Sequence, residues 1–309
     1  MPAPDRDVKA FRVASVLRRV YLGPAMRKRP MAETMTNEEY HKHPAISKSK
    51  LDAARKSGRH LYDMLYGPPR DSTAAFDMGT VLHASALPGE NADDIAVRMP
   101  EGMKKTTKEG KAFVAEHKGK IILNPSDAYV VDQMMLSLRE HPFSAGLVNG
   151  DLKGKSEQSF FCTDKETGLE LKARPDFILD DYSLILDLKT TVDASPKGFQ
   201  RSVANYRYFV QASHYLDVIE GATGTRPQAF LFVAVEKTRP FSTAVYMADQ
   251  AMIDLGKQQA REDLNNIAQW IADDKFPGYS ERVEEISLPK WMLPKEDGSP
   301  ADLQPIELY

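Results

Sequence analysis

The sequence has little cysteine, no long apolar run and no large excess of charge of either sign, and each shortage excludes a class of protein. Its single cysteine, Cys162, excludes an intrachain disulfide and a cysteine-based zinc or iron–sulfur site within this sequence, which fits a reducing compartment. No apolar stretch approaches the roughly 20 residues that cross a bilayer, so we expect no membrane span. The formal net charge of −3 does not mark a nucleic-acid-binding protein, so any contact with DNA requires a local basic surface.

The remaining composition is that of a globular protein with a distinct basic segment at its start. The 309 residues are 42% apolar and 28% charged, enough for one large domain or two small ones. Residues 1–35 carry eight basic side chains against three acidic ones, and we expect a poorly ordered or loosely docked arm. A basic arm that contacts nucleic acid is the alternative. We place the compact domain at residues 36–293 and an irregular, proline-rich tail at residues 294–309.

The most informative stretch runs from Ser156 to Thr191 and is predicted to form three consecutive strands. Apolar and polar residues alternate from Leu169 to Leu179, which is the period of a β-strand. In the next strand, residues 184, 186 and 188 lie on one face, and Asp187 and Lys189 project side by side from the other. The spacing therefore predicts that four chemically active residues meet around one point: Glu157, Asp176, Asp187 and Lys189.

Two carboxylates and a lysine at this spacing are suited to metal-dependent cleavage of a phosphodiester. A carboxylate and an ammonium on so apolar a strand need compensation, and a divalent cation would supply it. Carboxylate oxygens hold Mg²⁺ or Mn²⁺, and a neighbouring lysine can orient the attacking water and stabilise developing charge on the phosphate. The alternative is a solvated strand face with a surface ion pair, and the spacing alone does not decide between the two.

Further helices and strands are predicted before and after these strands in the sequence. We expect a helix capped by Ser47 or Ser49 that ends at Gly67, with Met64 facing inward, and a second helix over residues 74–87. Residues 88–120 are polar and rich in lysine, so they form either a solvated face or a grip on a duplex. Further predictions are a strand at 121–123, a helix at 126–140, a helix at 196–220, strands at 228–236 and 242–247, and a helix at 249–274.

Two helical positions carry a weaker signal. His83 lies on the apolar helix at residues 74–87, where a histidine is more often a satisfied core residue than a ligand. Gln211 and Tyr215 are four residues apart and share a helix face, for which packing and a hydrogen bond are sufficient explanation.

Seven fragments, taken in order, resemble the nuclease domain of the exonuclease VIII (RecE) family. They are YHKHPAISKSKLD, GTVLH, SEQSFF, ARPDFI, DLKTT, QASHYLD and SLPKW, and together they cover roughly residues 40–291. That family belongs to the restriction-endonuclease-like, or PD-(D/E)XK, superfamily and is similar to the phage lambda exonuclease. The resemblance implies an α/β (α+β) fold with a mixed central β-sheet flanked by helices.

The resemblance also assigns roles to individual positions. It implies Mg²⁺, or alternatively Mn²⁺, with two ions per site, held by His83, Asp176, Asp187 and the backbone carbonyl of Leu188. It implies that the catalytic group comprises Lys189, which positions the attacking water, together with Glu157, Gln211 and Tyr215. It further implies phosphate contacts from Arg174, Thr190 and Thr191.

The activity implied by the resemblance is hydrolysis of linear double-stranded DNA from 5′ to 3′, which leaves a 3′ single strand. The implied partners are that DNA, a single-strand annealing protein of the RecT type, and further copies of this chain in a tetrameric or trimeric ring. The implied location is the cytoplasm of a bacterial or phage-infected cell. Two alternatives stay open: a structure-specific or single-strand nuclease of the same fold, and a non-catalytic DNA-binding protein.

Overall fold

The structure is a computed structural model that describes residues 32–33, 35–68 and 74–288. Residues 1–31 and 34 of the predicted arm at 1–35, and the whole predicted tail at 294–309, lie outside the described residues. No helix in the described part of the chain is long and apolar enough to cross a membrane.

The described elements are as follows, numbered in chain order. The strands are β1 (Ala32–Glu33), β2 (Ala96–Arg98), β3 (Ile121–Leu123), β4 (Gly154–Ser156), β5 (Ser159–Thr163), β6 (Glu170–Ala173), β7 (Phe177–Leu179), β8 (Leu184–Thr191), β9 (Ala229–Glu236) and β10 (Thr243–Met247). The helices are α1 (Asn37–Lys42), α2 (Lys48–Lys56), α3 (Gly58–Tyr66), α4 (Ala74–Ala86), α5 (Ala92–Ile95), α6 (Lys108–Glu116), α7 (Pro125–Glu140), α8 (Ser144–Val148), α9 (Pro196–Asn205), α10 (Tyr208–Thr223) and α11 (Gln250–Asp273).

The central sheet has five strands in the order β10-β9-β8-β7-β4 and is mixed. Strands β8 and β9 are parallel over their whole length, while the other neighbouring pairs are antiparallel. A parallel pair requires a long crossover, and here helices α9 and α10 provide it. Strands β1, β5 and β6 form a separate three-stranded antiparallel sheet, and β2 pairs with β3. The predicted mixed sheet flanked by helices is confirmed.

Each face of the central sheet is covered by its own apolar core. Ile185 of β8 and Phe232 of β9 pack into a core shared with helices α2, α3, α10 and α11. Leu186 and Leu188 of β8, with Val233 of β9, pack on the opposite side against helices α4 and α7. This alternation explains why β8 and β9 read as nearly continuous apolar runs, since strands buried on both faces have no solvent side.

Helices α10 and α11 approach closely because a glycine lies at their contact. A Cβ built on Gly256 would lie 2.2 Å from the carbonyl oxygen of Phe209, which leaves no room for a side chain. This contact holds α10 firmly beside β8, and α10 carries Gln211.

Two predicted single helices are each broken in two. The helix expected from Ser47 to Gly67 is α2 and α3, separated at Ser57, whose extended backbone and side chain cap the second helix at His60. After this break Met64 is 39% exposed, so its predicted inward orientation is wrong. The helix expected at 196–220 is α9 and α10, separated at Arg207, which adopts a left-handed conformation with φ of 52°. A left-handed residue cannot continue a right-handed helix.

The strand predicted from Leu169 to Leu179 is also interrupted, at residues 174–176. Leu171 before the break packs in one core, and Phe177 after it packs in the other. Pro175 lacks an N–H group and so cannot continue a strand ladder. The three predicted strands of this region are therefore five, β4 to β8.

The remaining elements agree with the sequence with smaller differences. The helix predicted at 126–140 is α7, which begins one residue earlier and is capped by Asn124, because the Asn124 side chain accepts the N–H of Asp127. The polar stretch at 88–120 contains α5, β2 and α6. Strands β9 and β10 and helix α11 lie where they are predicted.

Candidate metal centre

The candidate site forms where β8 extends beyond the end of its neighbour β7. Strand β7 begins at Phe177, whose partner on β8 is Leu186, so the peptide group of Leu188 has no ladder partner on that side. Two side chains replace the missing strand. Asp176 Oδ2 accepts the Leu188 N–H at 2.6 Å, and the His83 Nε2 atom lies 3.1 Å from the Leu188 carbonyl oxygen.

Helix α4 therefore brings His83 to the predicted acidic residues. The His83 Nδ1 atom lies 3.6 Å from Asp176 Oδ1. With Nε2 directed at a carbonyl, Nδ1 faces the carboxylate as a potential ligand atom, because the bond made by one ring nitrogen sets the role of the other.

Glu157 lies in the short bend between β4 and β5, and its backbone is in the left-handed region with φ of 51°. Its N–H donates to the Asp176 carbonyl at 3.1 Å. Arg174 Nε donates to the Glu157 carbonyl at 2.7 Å and lies 3.3 Å from Glu157 Oε2. A left-handed non-glycine residue is costly and persists only where its surroundings fix it, which is common at functional sites.

Asp187 and Lys189 project from β8 toward α10, as the alternation predicts. The Lys189 Nζ atom lies 2.6 Å from Asp187 Oδ2, and Gln211 Nε2 donates to Asp187 Oδ1 at 2.5 Å. The Asp187 side chain is 1% exposed. Gln211 thus fixes a buried carboxylate that already pairs with Lys189.

The site carries more negative charge than its own cations compensate. Burial, followed by the neighbouring charge of Asp176, raises the pKa of Glu157 to about 8. Burial also raises the pKa of Asp187 to about 6, although Lys189 opposes the change. Burial lowers the pKa of Lys189, but the carboxylates of Asp187 and Asp176 outweigh it, and the net pKa is raised. This is the electrostatic pattern of a group of carboxylates arranged for a cation.

The donor atoms fit a divalent metal ion. His83, Glu157 and Asp176 each offer one ligand atom, and these atoms lie within 4.8 Å of one another. One imidazole nitrogen with carboxylate oxygens is a donor set for a hard or borderline divalent cation. Asp187 lies outside this tight group because its carboxylate is held by Lys189 and Gln211.

A cavity of about 560 Å³ opens onto this cluster. Among the predicted site residues, those that line it are His83, Glu157, Arg174 and Thr190. Glu90 also lines it, and its charge contributes to the raised pKa of Glu157. Glu90 could not be predicted from the sequence, since an exposed acid in a polar loop carries no distinguishing signal.

Three predicted residues have structural contacts that their proposed roles did not anticipate. Tyr215 packs edge-on against Phe230 in the core beside Gln211. Thr191 is buried, and its hydroxyl donates to the Asp193 carbonyl at 3.2 Å. Arg174 bonds to Glu157 and to the Met35 carbonyl, with its side chain 8% exposed. Their catalytic or phosphate-binding roles stay predictions.

Tyr208 is a further residue of the site that the sequence analysis did not identify. The Lys189 Nζ atom lies 4.8 Å from the centre of its ring, in a cation–π contact. Tyr208 precedes Gln211 by three positions on α10, so the helical spacing of the two could have indicated that they share a face.

Comparison with known proteins places this geometry in a family. The mixed sheet, with its acids and lysine on β8 and beside it, defines a restriction-endonuclease-like core. The family model described as a PDDEXK-like domain of unknown function (DUF3799) matches residues 47–289. The chain belongs to this family, which confirms the superfamily predicted from sequence but not the RecE family in particular. No curated protein gives a significant match.

Three solved structures match the chain to different degrees, and the first of them shares its fold. A protein from Eubacterium rectale, provisionally named an exonuclease, has a TM-score of 0.56 and 12% identity, with 83% of this chain and 97% of that one covered. A phage-related exonuclease from Haemophilus somnus has a TM-score of 0.31 and 13% identity, with 64% and 95% covered. An alkaline exonuclease from Laribacter hongkongensis has a TM-score of 0.27 and 12% identity, with 58% and 92% covered.

Proposed function

We propose that this protein is a divalent-metal-dependent deoxyribonuclease that degrades linear double-stranded DNA from 5′ to 3′ and leaves a 3′ single strand. The observation that carries the proposal is the convergence of His83, Glu157 and Asp176 within 4.8 Å, beside the ion pair of Asp187 and Lys189, in a PDDEXK-like domain. The name of the Eubacterium rectale structure, an exonuclease with the same fold, supports the same class of activity.

In this proposal the chain would hold Mg²⁺, or Mn²⁺, at the group formed by His83, Glu157 and Asp176. The other ligands that the resemblance implies, Asp187 and the Leu188 carbonyl, lie beside this group and would join it by exchanging their present contacts with Lys189, Gln211 and His83. A bound divalent ion supplies Lewis-acid charge and a nucleophilic water at neutral pH. Lys189 Nζ, 2.6 Å from Asp187, places a cation beside that point and can position the water and stabilise charge on phosphorus.

The surrounding residues hold these groups in fixed positions. Gln211 immobilises Asp187 from α10, and the Leu188 carbonyl fixes the imidazole of His83. Arg174 holds the strained bend that carries Glu157. Reacting groups that are supported in this way move little during the reaction. Such prior positioning of charged groups is the main source of electrostatic stabilisation in active sites.

The exonuclease polarity, the ring of three or four copies and a RecT-type annealing partner complete the proposal, and they rest on the sequence resemblance. A ring around DNA would explain how a chain with a net charge of −3 remains on its substrate, because encirclement replaces electrostatic attraction.

One experiment tests the central claim. The purified protein is incubated with linear duplex DNA labelled at either the 5′ or the 3′ end, with Mg²⁺ or with EDTA. Lys189→Ala is compared with Lys165→Ala, which removes an exposed lysine outside the metal centre. We expect the native protein to cleave DNA with Mg²⁺ and not with EDTA. Lys189→Ala should cleave at least about 100-fold more slowly while it still binds DNA, and Lys165→Ala should cleave at the native rate.

The outcomes separate the alternatives. Activity that survives EDTA and Asp187→Ala rules out the metal mechanism. Equal digestion of closed circular and linear DNA rules out an exonuclease and leaves a structure-specific nuclease. Binding without cleavage in every metal identifies a non-catalytic DNA-binding protein. Light scattering tests the ring, and a monomer at working concentration excludes it.

A further inference from the structure

Three aromatic rings lead from the core of the protein to its surface beside the metal centre. Phe232 of β9 is buried, and its ring stacks on Tyr208 with centroids 5.8 Å apart and planes 29° apart. Tyr208 stacks in turn on Tyr206, at 5.5 Å and 28°. Tyr206 is 61% exposed. The ladder therefore ends in an aromatic ring that stacks on the protein and is otherwise largely open to solvent.

This exposed ring is close to the residues proposed to act on the phosphodiester. Lys189 Nζ lies 4.8 Å from the Tyr208 ring centre, and Tyr206 is the next ring outward. The two contacts together limit the distance from Lys189 Nζ to the Tyr206 ring to about 10 Å. That is two to three nucleotide steps along one strand, at about 3.4 Å each.

A turn with several side-chain contacts holds Tyr206 in place. Its carbonyl accepts a hydrogen bond from Lys48 Nζ at 2.6 Å. The next residue, Arg207, is left-handed, and its guanidinium pairs with Asp52 at 3.0 Å and with Asp263 at 2.6 Å.

The Asp263 side chain is 1% exposed, so this pairing is a buried one. Buried ion pairs contribute little net stability but fix geometry. The turn thus uses a strained residue and a buried charge pair to present one tyrosine to solvent.

We propose that Tyr206 stacks on a nucleobase of the substrate strand within a few nucleotides of the phosphodiester that is cut. The inference rests on the proposed nuclease function and names a substrate-positioning residue for it. A planar base would continue the ladder by the same offset stacking that joins its rings. Lys189 and Lys48 both lie over the ring of Tyr208, and each is also paired with a carboxylate, Asp187 and Asp52 respectively. The stacking of the base, rather than attraction by these cations, therefore carries the inference.

The test uses duplex DNA that carries 2-aminopurine at the first, second or third position from the end. The fluorescence of 2-aminopurine falls when the base stacks. Binding is measured with EDTA, so that the DNA stays intact and every side chain of the site is kept, and cleavage is measured with Mg²⁺. Four variants are compared: Tyr206→Ala, Tyr206→Leu, Tyr206→Trp and, as a matched control, Tyr279→Ala. Tyr279 is 81% exposed, and its ring contacts His60.

We expect Tyr206→Ala and Tyr206→Leu to weaken binding and raise KM about tenfold, with kcat little changed and the fluorescence change lost at one position. Tyr206→Trp should have the native KM and the native fluorescence change, and Tyr279→Ala should behave as the native protein. Weaker binding by Tyr206→Leu would show that an apolar side chain cannot replace the ring. Native binding by Tyr206→Trp would show that the weaker binding of the other variants is not a folding defect.

Three results would contradict the stacking role of Tyr206, and they can be told apart. If the native protein cleaves DNA with Mg²⁺ and Tyr206→Leu equals it in KM and fluorescence, the stacking role is overturned and the nuclease function stands. If Tyr206→Ala instead changes the oligomer mass with native fluorescence, Tyr206 belongs to a contact between copies, and the inference is likewise overturned. A native protein that neither binds nor cleaves DNA removes the proposed function and this inference together.

Discussion

The negative charge at the metal centre predicts a specific dependence of stability on pH. In metal-free protein the pKa of Glu157 is raised from 4.5 to about 8, chiefly by burial and by Asp176. Below about pH 4.5 the carboxyl is protonated in both the folded and the unfolded chain. Between about 4.5 and about 8 the folded chain retains a proton that the unfolded chain has lost, so the free energy of unfolding falls as pH rises. Above about pH 8 it stays at the lower value.

The size of the effect follows from the same interval. At about 1.4 kcal/mol per pH unit, the interval from about 4.5 to about 8 limits the loss of unfolding free energy to about 5 kcal/mol. The Glu157 side chain is 29% exposed, and water at that carboxylate reduces the expected loss to about 2–3 kcal/mol. If the proposed function is correct, adding Mg²⁺ should reverse the loss, because an ion that binds only the folded chain stabilises it.

The assay is urea unfolding from pH 4.5 to 9 in EDTA, for the native protein and for Glu157→Gln. The variant has nearly the same shape and no titrating group. Lys50 and Lys172 are buried and have lowered pKa values of about 7 and about 8, so they oppose the trend at higher pH. The informative quantity is therefore the difference between the two proteins. If that difference does not change between pH 4.5 and 8, the carboxyl is not held neutral by its surroundings and the reasoning about the cluster is wrong.

Three further substitutions test the support of the site. Gln211→Ala removes the hydrogen bond to buried Asp187 and should lower the free energy of unfolding by about 1–3 kcal/mol in urea; an unchanged midpoint would contradict it. Gly256→Ala places a Cβ 2.2 Å from the Phe209 carbonyl and should cost about 1–3 kcal/mol, measured by thermal unfolding; a native Tm would show that α10 and α11 can separate freely. Asp263→Ala removes the buried carboxylate that Arg55 and Arg207 share and leaves them paired with Glu262 and Asp52; it should cost about 2–3 kcal/mol in urea, and a loss below 1 kcal/mol would contradict the role of this carboxylate.

The features that could be predicted from sequence are those that local periodicity determines. The alternation along residues 184–189 places Asp187 and Lys189 on one face, and their 2.6 Å ion pair confirms it. Apolar spacing likewise predicts strands β9 and β10 and helix α11. In each case the pattern repeats within a few residues and is not interrupted by a distant contact.

The features that could not be predicted depend on partners far away in the chain. Arg207 leaves the helical conformation because Asp52 and Asp263, 155 and 56 residues away, hold its guanidinium. His83 meets the Leu188 carbonyl across 105 residues, so only the resemblance to a family indicated its place. The alternation at 169–179 continues through Pro175 and so conceals the point where the chain passes from one sheet to the other.

That crossing point explains why the site lies where it does. Because β7 begins after Pro175 and β8 extends beyond it, the peptide group of Leu188 needs polar partners that no strand provides. Asp176 and His83 satisfy it, and these two contacts hold both side chains beside the same strand as Asp187. The metal-binding group is thus assembled by completing the hydrogen bonds of an unfinished sheet edge. A substitution that allowed β7 to extend past Asp176 would remove the site even if every ligand residue were kept.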